Sequence, residues 1–198
     1  SIFGKSKIKS MGVKCLEIDI NENKNKLPHE KYDFICLFQV LEHLDNLQKL
    51  ADSLKNLLSK NGELLIAVPN DKIIEFNESN GALLDMPPNH IGRWSKETFI
   101  KYCDLNNLNL LEHKVEPFSL KKFLLMFFSY RFLRKTQKHN SIAAYIKYKS
   151  NKNLVAFFTI IFIILDFLSS PKILLKIIFS ASKLGGETQL ARISKVCN

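Results

Sequence analysis

The sequence has no paired cysteines: Cys15, Cys36, Cys103 and Cys197 are scattered, and no CxxC occurs. This argues against a disulfide framework or a zinc ribbon. It points to reduced thiols in a cytosolic setting, two of them buried inside apolar, strand-like runs at Cys15 and Cys36. None of the seven glycines falls in a GxGxxG pattern, so these residues hold no dinucleotide-type phosphate cradle. No secretory signal opens the chain, although residue 1 is Ser rather than Met. No apolar run reaches the roughly 20 residues that a membrane-spanning helix needs. Leu154 to Leu165 has only Thr159 as a polar residue, and Asp166 then interrupts it.

What is present is globular in character. The 198 residues are 46% hydrophobic and 24% charged, enough for a sizeable core and too apolar for wholesale disorder. Charge is divided unevenly. Residues 1–112 carry 14 Lys/Arg against 16 Asp/Glu, whereas residues 113–198 carry 15 against 3. A near-neutral front is thus joined to a strongly basic, strongly apolar back, which makes anionic lipid or nucleic acid the partner classes to weigh.

Periodicity orders the front half. Gly12 to Asp19 reads as a strand ending in an acid, and Asn21 to Glu30 as a polar loop. Asp33 to Leu41 is almost entirely apolar, the pattern of a strand buried on both faces. Leu44, Leu47, Leu50, Leu54, Leu57 and Leu58 recur at helical spacing, and Asn61-Gly62 is expected to stop that helix in a left-handed conformation. Glu63 to Val68 predicts a second buried strand that Pro69 ends. Residues 71–92, with Gly81, Pro87, Pro88 and Gly92, predict a long loop of the kind that often serves as a lid. Ser95 predicts a helix N-cap, with Phe99, Ile100 and Cys103 on one helix side. Leu108 to Phe118 and Glu187 to Val196 predict two further strands, the last entered through Gly185-Gly186. Ligands in such sheets bind outside the carboxyl ends of the strands, which puts Gln39, Glu42 and His43 where chemistry is done.

Three segments carry a family resemblance: YDFICLFQVLEHL at 32–44, NGELLIAVPN at 61–70 and PPNHIGRWSKETF at 87–99. Together they resemble the second half of a class I S-adenosylmethionine-dependent methyltransferase, over 12–118 and again at 185–196. The resemblance implies a Rossmann-like α/β sheet, partial here because the first two strands are absent, with a helical insertion before the last strand. It implies that the glycine-rich cofactor loop lies upstream of Ser1, in an N-terminally truncated chain. The domain division it implies is a partial methyltransferase domain at 1–118, an insertion at 119–184 and a closing strand at 185–198.

The resemblance also assigns roles, with S-adenosylmethionine as the cofactor. Asp19 matches the acid that accepts a hydrogen bond from the adenine amino group, and Gln39 would line the cofactor side. His43 and His90 are the catalytic candidates, to orient or deprotonate the methyl acceptor; a histidine at such a position titrates near neutrality. The plain alternative for Glu42-His43 is structural: an acid at a helix N-terminus beside a hydrogen-bonding histidine. Glu42, Arg93 and Trp94 are the substrate-binding candidates, although Trp94 also suits a core anchor. Some relatives bind a divalent cation through an E-x-x-E-H segment and a later histidine. Here Gln39 replaces the first carboxylate, which weakens a hard-cation site, and no metal ligand is assigned.

The insertion leaves three possibilities: a helical lid with its own core, a membrane-interface anchor, or a nucleic-acid grip. Its long apolar runs beside Lys and Arg favour the membrane surface narrowly over the lid, and nucleic acid least. The expected function is methyl transfer to an oxygen or nitrogen of a small molecule, glycan or lipid-linked glycan, in the cytoplasm or peripherally on the inner face of a membrane. The alternatives are a non-catalytic membrane-associated protein on a degenerate methyltransferase half, and a metal-dependent RNA 2′-O-methyltransferase.

Overall fold

The structure, a computed structural model, describes residues 2–14, 31–79, 82–83, 85–136 and 171–196, together with 154, 157, 158, 160, 161, 164, 165 and 168. Its elements in chain order are α1 (Ile2–Ser10), β1 (Tyr32–Phe38), a 3₁₀ turn at Leu41–His43, α2 (Leu47–Leu57), β2 (Leu58–Pro69), α3 (Asp71–Ser79), α4 (Lys96–Leu105), β3 (Leu108–Val115), α5 (Leu120–Thr136), α6 (Pro171–Ser182) and β4 (Thr188–Lys195). Asp19, and the strand expected to end at it, lie outside the described residues. Helix α1 was not expected from the sequence.

The four strands form one mixed sheet in the order β1-β2-β4-β3. β1 and β2 run parallel with α2 between them in sequence, while β4 pairs antiparallel with both β2 and β3. Alternation does the sorting. Leu64, Ile66 and Val68 on β2 stand opposite Ile193, Ala191 and Gln189 on β4, and all six are buried. Side chains two residues apart share a face of a strand, so this pairing lines one continuous apolar surface. Helix α2 covers it with Leu50, Ala51 and Leu54, and α4 adds Phe99, Tyr102 and Cys103.

Four expectations need correction. β1 is not buried on both faces: Ile35 and Leu37 pack against the core, but Phe34 and Phe38 are 63% and 56% exposed, and Cys36 is exposed as well. Among the described residues β1 is the edge of the sheet, with no strand on its outer hydrogen-bonding side, and the face that carries Phe34, Cys36 and Phe38 is left uncovered. Second, Asn61-Gly62 does not end a helix. Helix α2 stops at Leu57, and β2 begins at Leu58 and runs through the glycine. A Cβ at Gly62 would lie 2.7 Å from the Tyr32 carbonyl oxygen; the glycine is there for close approach to β1, where the register slips between Tyr32 and Phe34.

Third, the segment after Pro69 is not all loop, because α3 occupies Asp71–Ser79. The Asn70 side-chain oxygen accepts from the Lys72 N–H, which satisfies one of the orphan donors at a helix start. Ile73, Ile74 and Asn77 face inward. Fourth, Ile100 is 42% exposed, and Tyr102 takes the inward place. The Ser95 cap is as expected: its side chain accepts from the Thr98 N–H.

A second apolar cluster joins α5 and α6. Phe123, Phe127 and Phe128 of α5 and Ala181 of α6 are buried together, with Phe76 of α3 and Phe118 packed against them. Among the described residues, no helix is long and apolar enough to cross a membrane.

Candidate functional site

The carboxyl end of β1 is built by two sharp backbone departures. Gln39 continues the ladder by donating its N–H to the Ala67 carbonyl at 2.8 Å, then takes a left-handed conformation with φ 55°. The chain turns away from the sheet there and enters the 3₁₀ turn at Leu41–His43. Leu41 drops into the core at 0% exposure, and Glu42 beside it is 1% exposed.

A second segment is clamped onto this turn. The N–H groups of Ile91 and Gly92 both donate to the Glu42 carbonyl, at 2.8 and 3.0 Å. That pair of hydrogen bonds brings His90 against His43, their ring centroids 4.7 Å apart and edge to face. The Nδ1 of His43 lies 2.5 Å from the Asn89 carbonyl oxygen. A carbonyl can only accept, so Nδ1 carries the proton and Nε2 keeps its lone pair. Nε2 is 3.9 Å from Glu42 Oε1. The Nδ1 of His90 is 3.2 Å from Asp85 Oδ1 without a hydrogen bond between them.

Neither carboxylate oxygen of Glu42 has a hydrogen-bond partner. A buried, unpartnered carboxylate is costly and calls for a positive or donating group. One carboxylate oxygen of Glu42 and one ring nitrogen each of His43 and His90 lie within 4.8 Å of one another. The group therefore has the donors to hold a cation, or equally to take a proton from a bound nucleophile.

The other candidate residues divide. Gln39 is at the site, its side chain exposed at the end of β1. Arg93 is not directed to it; its guanidinium pairs with Glu78 of α3. Trp94 is 3% exposed and packs tilted on Phe99 and edge-on to Tyr102, at centroid distances of 4.9 and 5.3 Å. Its indole is a core anchor, because the Ser95 cap turns the chain into α4 directly behind it. Burial also pushes the Tyr102 phenol up from its ordinary value, and the Cys103 thiol to about 11, so neither is an ionised participant at neutral pH.

Sequence reasoning missed the supports. Asp85 stands behind His90, and Asn89 holds His43 through its backbone. On β4, Gln189 is 1% exposed. Its amide donates to the Pro69 and Trp94 carbonyls, and its oxygen accepts from His113 Nε2 at 2.8 Å. It thereby ties the end of β2 to the segment that carries His90. Asp85 could have been suspected from its place just ahead of Pro87-Pro88-Asn89-His90; Gln189 had no local signal. At the same end of the sheet, an open cleft of about 490 Å³ is lined by Asn70, Lys72, Lys96, His113, Lys183 and Gln189, among others.

Comparison with known proteins meets this geometry. The family model of a methyltransferase domain matches residues 7–113, more than half of the chain. No curated protein sequence matches it. Among solved structures, a putative sarcosine dimethylglycine methyltransferase from Galdieria sulphuraria is 14% identical with a TM-score of 0.50, covering 96% of this chain and 64% of its own. The [4+2]-cyclase SpnF is 9% identical with a TM-score of 0.52, covering 100% and 62%. A SAM dependent methyltransferase from Archaeoglobus fulgidus is 16% identical with a TM-score of 0.49, covering 96% and 71%. The chain thus spans roughly two thirds of the length of these proteins. It belongs to the methyltransferase domain family and has the Rossmann-like α/β fold of S-adenosylmethionine-dependent methyltransferases.

Proposed function

We propose that this chain carries the acceptor side of a methyltransferase that moves a methyl group from S-adenosylmethionine to an oxygen or nitrogen of a small molecule, glycan or lipid-linked glycan. The observation that carries the reading is the His43–His90–Glu42 group at the carboxyl end of β1, where ligands of such sheets bind. S-adenosylmethionine supplies an electrophilic methyl on a positively charged sulfur. With it bound, the acceptor's lone pair would form the new bond to carbon as the carbon–sulfur bond broke and neutral S-adenosylhomocysteine left. His43, with its Nε2 lone pair fixed by the Asn89 carbonyl, takes the acceptor's proton. Glu42, 3.9 Å from that nitrogen, then faces an imidazolium and offsets its charge. His90 packs edge-on against His43 and orients the acceptor. Gln39 and Asp19 belong to the cofactor side. Most of the rate in such transfers comes from alignment of nucleophile and methyl, which the double clamp on Glu42 provides.

The test supplies labelled S-adenosylmethionine and extracts of small molecules, glycans and lipids to the protein and to His43→Gln. Label should enter one extract and fall on the order of 100-fold in the variant, the usual weight of a general base. Absence of both cofactor binding and label transfer overturns the reading, and transfer unaffected by His43→Gln overturns the role of His43.

A second reading has its own observation, the orphaned carboxylate of Glu42. Two imidazoles and one carboxylate suit a borderline divalent cation better than magnesium or calcium. Transfer abolished by chelation and restored by zinc or iron(II) would replace the base mechanism by a cation-polarised one. Transfer indifferent to chelation removes it.

A further inference from the structure

Among the described residues, the side of α6 away from the aromatic cluster is apolar and exposed. Ala181, Ile177 and Ile178 of α6 pack on the cluster around Phe123 and Phe127, while Leu175 and Phe179 are each 65% exposed. The preceding described residues continue the theme. Phe157, Ile160, Ile164 and Leu168 are each helical and stand between 50% and 69% exposed. A soluble monomer rarely shows so many large apolar side chains to solvent without an interaction to make.

Charge identifies the occupant. Residues 113–198 carry 15 Lys/Arg against 3 Asp/Glu, with Lys152, Lys172, Lys176 and Lys183 bracketing or interrupting the apolar runs. Lys183 places its ammonium 4.5 Å from the centre of the Phe179 ring, so a cation sits at the border of the apolar face, where an amphipathic side chain reaches from an apolar layer to a polar one. A second copy of this chain would present the same excess of positive charge and repel it. Nucleic acid would satisfy the charge and leave the Leu, Ile and Phe side chains in water. A bilayer with anionic headgroups satisfies both at once.

We propose that α6, together with the exposed apolar residues described before it, forms a membrane-interface anchor, which lays these side chains into the headgroup–acyl boundary of an anionic bilayer without crossing it. No helix among the described residues is long enough to cross, and Lys172 and Lys176 inside the stretch favour a position in the plane of the interface. The anchor connects to the site through α3. Phe76 enters the aromatic cluster, and two residues on, Glu78 holds Arg93 in the segment that carries His90. The proposal goes beyond methyl transfer and does not need it: a protein that fails to transfer a methyl group would still bind vesicles.

The test is co-sedimentation of the full chain with vesicles of phosphatidylcholine alone and of phosphatidylcholine with phosphatidylglycerol. Binding should be on the order of tenfold or more tighter to the anionic vesicles and weaken with salt, as expected when several lysines face the headgroups. Leu175→Ser with Phe179→Ser changes exposed positions only. It should weaken binding by a similar factor with the circular dichroism spectrum unchanged. Lys172→Glu with Lys176→Glu should erase the preference for anionic lipid. No sedimentation of folded protein with anionic vesicles overturns the proposal, as does binding that neither pair of substitutions alters. Resistance to alkaline carbonate extraction would replace it with a spanning segment. A dimer that forms without lipid and is broken by the Leu175/Phe179 pair would replace it with self-association.

Discussion

The sheet core and the aromatic cluster of the insertion are both apolar, but they use their apolar residues differently. From Gly62 to Pro69 on β2 and from Thr188 to Ser194 on β4 every second residue is buried, and the intervening side chains are half-exposed. Most of the buried positions there are apolar, Gln189 being the polar one. In α5 and α6 the apolar residues outnumber the buried places. Phe123, Phe127 and Phe128 are inside, while Leu125, Leu175 and Phe179 of the same two helices are at least 59% exposed. The strands β2 and β4 use most of their apolar surface in folding, whereas α5 and α6 keep a surplus exposed, as β1 does at Phe34 and Phe38.

If these are two cores, they should fail separately. The largest effect is expected from Phe99→Ala, which empties a 0% exposed position in contact with Trp94 and should cost about 3–5 kcal/mol. The whole sheet should lose stability, read as a lowered denaturation midpoint by both tryptophan fluorescence and circular dichroism. Phe127→Ala should cost less globally, because the cluster it leaves draws on fewer fully buried groups. Its loss should appear as faster amide exchange in α5 and α6 with β2 and β4 still protected, the signature of local opening. Equal loss of protection in β2 would show one cooperative core and end the comparison.

The smallest effect concerns the hinge between the regions, where Lys122 at the start of α5 bonds Glu116 after β3 at 2.5 Å. That bond holds the Glu116 carboxyl below its ordinary value of 4.5, and its partner carboxylate raises the Lys122 ammonium above 10.5. A carboxyl depressed on folding contributes stability above 4.5 and loses it as pH falls through its folded value; a raised ammonium contributes below 10.5 and loses it as pH rises. The difference in thermal midpoint between the protein and Lys122→Met should therefore be widest between those limits and close on either side. Both side chains reach solvent, so the difference should be small and shrink further in salt. A gap that persists at acid pH would assign Lys122 a packing role instead.

Local chemistry was legible wherever one residue suffices to decide it. Ser95 caps α4 because its side chain reaches Thr98 within the same turn, and Glu63 to Pro69 alternates because both neighbours of β2 are present. The exposure of Phe34, Cys36 and Phe38 was not legible, since an apolar run shows what a strand can bury and not what lies next to it. Nor was the inward turn of Trp94, which depends on Phe99 and Tyr102 a helical turn or two later. At the site, Glu42, His43 and His90 stood out by type, and their convergence was expected from the resemblance alone. What joins them, the carbonyl of Glu42 receiving two N–H groups from 91–92, is backbone chemistry that no side-chain pattern reveals. Gln189 was invisible for a related reason: in a strand that alternates, an inward glutamine reads as an ordinary interruption until its three partners are seen.

The position of β4 between β2 and β3 has a consequence for how the chain comes together. β2 and β3 are both made early, yet neither pairs with the other; each waits for a strand synthesised only after the whole insertion has emerged. Until then, the apolar rows of Leu64, Ile66 and Val68 have no antiparallel neighbour, and the Pro69 and Trp94 carbonyls have no Gln189. Pairings so far apart in sequence form slowly and leave strand edges open in the interval. The nascent protein therefore passes through a period in which its most sheet-prone edge is uncovered, and mispairing is most open to it before β4 is made.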